Sequence, residues 1–96
     1  MHLQASEIKR MLKKWHFYKA CILPLESGNE LERKLNAVEK AVAALDDVDK
    51  TIIQLKFMQG ADIDLIASKV FLAHSSVYKR IDKAIQELAY LIANTG

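Results

Sequence analysis

The chain reads as an all-α protein: an N-terminal long-helix hairpin followed by a C-terminal three-helix unit with a helix-turn-helix. Three observations predict this. Apolar residues recur three and four apart over long stretches, the period of one helix face. The 96 residues include one proline and three glycines, so little interrupts a helix. Aspartates stand where helices would begin, at Asp46, Asp47 and Asp62, and a carboxylate there accepts from free backbone N–H groups.

The elements follow in order. A first helix is expected from about Leu3 to Ile22, with one apolar stripe at Ile8, Met11, Trp15, Tyr18 and Ile22. Pro24, Ser27, Gly28 and Asn29 break it. A second helix is expected from Glu30 to Leu45, with Asn29 as its N-cap and a stripe at Leu31, Leu35, Val38, Val42 and Leu45. Such seams suit coiled-coil-like packing, either against each other or against a second copy of the chain. The residues that would carry a homodimer are Leu31, Leu35, Val38, Val42 or Trp15. A third helix starts at Asp46-Asp47, carries Val48, Ile52, Ile53, Leu55 and Phe57, and stops at Gly60. Asp62 caps a short fourth helix, Ile63 to about Lys69. The last helix runs from His74 or Ser75 to Ala93 and buries Val77, Ile81, Ala84, Ile85, Leu88 and Leu91. The expected division is residues 1–45, for dimerisation or partner binding, and residues 46–96, for DNA.

Net charge is only +2. Its distribution is uneven: residues 1–20 carry five bases against Glu7, residues 21–49 three against seven acids, and residues 50–96 six against four. Any surface facing nucleic acid is therefore a local patch. No apolar run approaches the length of a membrane span. The N-terminus shows no signal-peptide pattern. Cys21, the single cysteine, cannot form an internal disulfide. Both fit a cytoplasmic protein of a bacterial or phage-infected cell.

The stretch from Asp62 to Ile81 has what two steeply crossing helices need. Ala67 is small enough for their contact point. Ile66 and Val70 precede the turn, Leu72 lies in it, and Val77 and Ile81 follow it. The second helix then presents His74, Ser75, Ser76, Tyr78, Lys79 and Lys83, with Arg80 beside them. Short hydroxyls, a polar aromatic and cations suit a helix reading a major groove. Lys56, Lys69 and Lys83 are the candidates for backbone contact. The alternative for Ser75, Ser76, Lys79 and Lys83 is a solvated helix face, and Tyr78 could instead pack on its neighbours.

The ordered set Leu45-Asp46-Asp47-Val48-Asp49-Lys50, Ile52 to Phe57, Gly60, Asp62, Ile66-Ala67, Val77 to Ile81 and Ala84 resembles the fourth conserved region of bacterial sigma factors. The likeness covers about half the chain. It implies a helix-turn-helix that contacts promoter DNA, with RNA polymerase as a further partner. The region of sigma factors that melts promoters has no room here. The chain is therefore more similar to small sigma-like regulators of phages and prophages, of the ArpU and RinA types. Two positions depart from the pattern: Phe71 stands where the turn glycine is usual, and Ala73 where the N-cap is Ser or Thr. Phenylalanine resists a left-handed conformation, so the turn is expected to be reshaped or the last helix to start later, capped by Ser75.

Other residues point less sharply. Lys9, Arg10, Lys13 and Lys14 read as a solvated face or an auxiliary phosphate clamp. Trp15, Phe17 and Tyr18 read as core or interface. Cys21 and His16 do not share a helix face, and the three His and one Cys have no metal-ligand spacing. No enzyme activity, metal or cofactor is expected. Two other functions remain open: a phage terminase small subunit-like DNA-binding protein, and a protein-interaction module that contacts RNA polymerase without DNA.

Overall fold

The computed structural model describes residues 2–22 and 30–94, and for residues 21 and 22 the backbone alone. The expected break at Pro24 to Asn29, the Asn29 cap and the Cys21 and Ile22 side chains lie outside that description. Within it the chain forms six α-helices and no strand. They are α1 (Ala5–Lys13), α2 (Trp15–Phe17), α3 (Glu30–Ala43), α4 (Asp47–Ile53), α5 (Ile63–Val70) and α6 (His74–Asn94). Wider π-helical turns extend α2 through Tyr18–Ile22 and α4 through Gln54–Met58.

Local chemistry sets the boundaries. The Asp46 carboxylate accepts from the Asp49 N–H at 2.8 Å and so starts α4. Asp62 does the same for the Leu65 N–H at 2.9 Å, starting α5. Gly60, at φ +71°, closes the π-helical turn, and the Ala61 N–H reaches back to the Leu55 carbonyl at 2.8 Å.

The turn between α5 and α6 corrects the sequence expectation. Phe71 does adopt the left-handed conformation, at φ 58° and ψ 43°. α6 begins at His74, not later, and its first bond joins the Val77 N–H to the Ala73 carbonyl at 3.0 Å. Two features support the strained residue. The Ala67 carbonyl accepts from both the Phe71 N–H and, at 3.1 Å, the Leu72 N–H, which closes the end of α5, and Leu72 packs partly into the core. The Phe71 ring is 91% exposed, so it meets no crowding from the rest of the chain.

α6 lies at the centre, with α1, α3, α4 and α5 all packed on it. Its inward row is Val77, Ile81, Ala84, Ile85, Leu88 and Ile92. Ile92 takes the place expected of Leu91, which is half-buried, because the row continues by a step of four from Leu88. The stripes of α1 and α3 both turn towards this row. Ile8, Met11, Leu12, Trp15, Leu35, Val38 and Val42 join the residues of α4 to α6 in one buried cluster. The candidate dimer seam is thus used inside the chain: only Leu31 of that set stays half-buried. Burying each such side chain contributes roughly 1.5–3 kcal/mol, far more than an exposed ion pair.

Polar links join the flanks. Lys34 reaches Glu7 at 3.0 Å and Lys19 reaches Glu39 at 3.1 Å, tying α3 to α1 and to the π-helical turn after α2. The hydrogen bond and charge of Glu7 hold the Lys34 ammonium above its ordinary value. Leu55 and Phe57 are both buried although they lie about 200° apart around a helix. Their segment is covered by α1 and α2 and also by α5.

Relief of the strain at Phe71 is measurable. Phe71→Gly should raise stability by about 1 kcal/mol in urea unfolding, since glycine enters the left-handed region without the Cβ clash. A lowered midpoint would show that the phenylalanine ring contributes more than its backbone costs.

Candidate nucleic-acid interface

The candidate surface is built on the first half of α6. Because Val77, Ile81 and Ala84 are held in the core, the opposite side of the helix faces outward by geometry alone. Ser75, Lys79 and Lys83 are exposed there, half of Tyr78 is accessible on the flank, and Ser76 is half-buried at the edge. Lys79 and Lys83 have no carboxylate within 4.0 Å among the described residues. The three-residue connection, 71–73, joins α5 to this end of α6, the two helices pack on each other, and Ala67 of α5 is buried.

Two of the expected residues have partners inside the chain. Arg80 donates through Nη1 to Asp49 Oδ1 at 3.2 Å. Asp49 is only 5% exposed, and this bond links α4 to α6. His74 Nε2 lies 2.9 Å from Asp64 Oδ1, joining the start of α6 to the first turn of α5. Both groups of that second pair are largely exposed.

The two remaining lysines differ from each other. Lys69 is exposed near the end of α5. Lys56 is half-buried, with its ammonium 5.7 Å from the centre of the Phe57 ring. Its segment packs chiefly on α1, α2, α4 and α5. Thus Ser75, Tyr78, Lys79 and Lys83 share one helix, Lys69 stands on the adjoining helix, and Lys56 sits apart. Of the N-terminal aromatics, Trp15 is buried, Tyr18 half-buried and Phe17 exposed.

Sequence reasoning missed the role of Asp49. A signal was present: Leu45, Asp49 and Ile52 follow the four-and-three spacing of a buried row, and an acid in such a row needs a cation. No comparable signal marks the His74–Asp64 pair, because both residues look like ordinary surface positions. Among the described residues no group of His, Cys, Asp or Glu is arranged to hold a metal ion.

Comparison with protein-family models, curated proteins and solved structures finds no match to this chain. The site must therefore be read from its own geometry.

That geometry separates two neighbouring cations. Arg80→Ala leaves a buried carboxylate unpaired and should cost about 3 kcal/mol, whereas Lys79→Ala should stay within about 0.5 kcal/mol. Urea unfolding of the two variants checks this, and equal losses would mean that Asp49 finds another partner.

Proposed function

We propose that the chain is a small, sequence-specific DNA-binding regulator of transcription, similar to the fourth region of sigma factors and of the phage or prophage type. In this reading α5 and α6 act as a helix-turn-helix. The first half of α6 enters the major groove, while Lys69 and Lys83 contact phosphates. Ser75, Tyr78 and Lys79 reach base edges or the adjoining backbone. His74 ties α6 to α5, Arg80 ties it to α4, and both stand at the border of the contact. RNA polymerase is the expected protein partner.

One observation carries the reading. The exposed Ser75 hydroxyl and the Lys79 and Lys83 ammonium groups lie on the side of α6 opposite a buried apolar row, with the Tyr78 phenol on its flank, next to a three-residue connection from α5. A major-groove helix needs that combination of a fixed register and an outward polar face.

A second reading has its own support. Leu65 on α5 is 46% exposed and Phe71 in the turn is nearly bare. Apolar groups of this size beside the helix pair suit contact with a protein such as RNA polymerase, without DNA.

Fluorescence anisotropy on duplexes from the gene's own neighbourhood, at about 50 mM salt where phosphate contacts are strongest, tests the first reading. The unaltered chain should bind. The Lys79→Glu, Lys83→Glu double variant should keep its helical circular dichroism and lose at least about tenfold in affinity. Absence of binding by the unaltered chain sinks the proposal, and so does equal binding by both.

A further inference from the structure

α1 packs along α6, on the side away from the Asp49–Arg80 link. An open groove runs between them, lined by Ala5, Ser6 and Lys9 from α1 and by Asp82, Ile85 and Gln86 from α6. Lys9 therefore stands beside the same outward surface that carries Lys79, one helical turn before Asp82. Lys13 lies one turn further along α1, on the face of Lys9. Ile8, Met11 and Leu12 are buried, so Lys9, Arg10, Lys13 and Lys14 all project from the core.

Cations among the described residues differ in whether a carboxylate lies beside them. Lys19, Lys34, Lys50 and Arg80 each lie within 4.0 Å of a carboxylate. Lys9, Arg10, Lys13 and Lys14 have no such partner among the described residues. Glu7, the only acid on α1, is engaged by Lys34. Four like charges within six residues repel one another, and they lie on a helix that adjoins the candidate DNA-contacting helix.

We propose that the Lys9–Lys13 face of α1 is a second phosphate-binding surface, which takes the duplex backbone flanking the segment engaged by α6. The inference rests on the DNA-binding reading above. The major groove is about 12 Å wide, and packed helices lie about 8–10 Å apart. A helix alongside one seated in the groove therefore overlies one of the two bordering phosphate strands. The lysines of α1 meet that strand without reading sequence. Asp82, in the groove between the two helices, keeps phosphate off the centre and leaves it to the rim.

The salt dependence of binding tests this on a mixed-sequence duplex of two helical turns. Each phosphate contact adds about 0.9 to the slope of log affinity against log salt concentration. Lys9→Ala with Lys13→Ala should lower that slope by about 2. The control Arg33→Ala with Lys40→Ala removes two exposed cations from α3 and should leave the slope unchanged. On a duplex trimmed to the segment under α6, the Lys9, Lys13 variant should bind like the unaltered chain. Lys9→Gln with Lys13→Gln gives the same readout should the alanine pair fold poorly. An unchanged slope for the Lys9, Lys13 variants, or an equal fall in the control, overturns the α1 surface. If Lys79→Glu with Lys83→Glu still abolishes binding in that case, the α6 reading stands alone. Absence of binding by the unaltered chain at low salt overturns both.

Discussion

The fold depends on one row of side chains. Val77, Ile81, Ala84, Ile85, Leu88 and Ile92 form the inward edge of α6, and four other helices are placed by their contact with it. A 21-residue helix is about 30 Å long, enough for several shorter helices to share it. In a chain of this size, no second core is available to hold a misplaced element. The row also fixes rotation. Turning α6 by one residue, about 100°, would bring Tyr78 and Asp82 towards the core and expose Val77 and Ile81. The outward face is thus a by-product of the inward one.

Polar contacts refine this arrangement and do not create it. Among the described residues, the Asp49–Arg80 pair is where a buried charge is tied to α6. Because breaking such a pair costs more than making it gains, its effect is to punish alternative registers. The Glu7–Lys34 and Lys19–Glu39 pairs sit at the surface and contribute little individually. Charge on this protein is therefore divided by task. The Glu7–Lys34, Lys19–Glu39 and Asp49–Arg80 pairs join different elements, while Lys9, Arg10, Lys13 and Lys14, and Lys79 and Lys83 on α6, have no carboxylate within 4.0 Å among the described residues.

Much of the architecture was legible in the sequence because it depends on local period and local caps. The stripes of α1, α3 and α6 and the caps at Asp46 and Asp62 needed no knowledge of neighbours. The tertiary facts were less legible. Spacing showed that Leu35, Val38 and Val42 form a seam, but a seam looks the same whether it meets the same chain or another. The residue-type argument about Phe71 failed for a related reason. Left-handed strain is a cost of order 1–2 kcal/mol, and it persists wherever the surrounding bonds and packing outweigh it. The Leu72 bond and the buried rows on either side supply that. The outward set on α6 followed from period alone, whereas the diversion of Arg80 and His74 to carboxylates, and the position of Lys9 beside α6, arise from contacts distant in sequence.

The division of labour around α6 has a consequence for how such a surface can change. Ser75, Tyr78, Lys79 and Lys83 are exposed, while Arg80, at the border of that set, donates to the buried Asp49. Exchanges at the first four alter what the helix presents and leave the scaffold standing. An exchange at Arg80 removes the partner of the buried Asp49 and so costs stability unless Asp49 changes with it. The contact surface is therefore modular except at a single position, where novelty requires two substitutions at once.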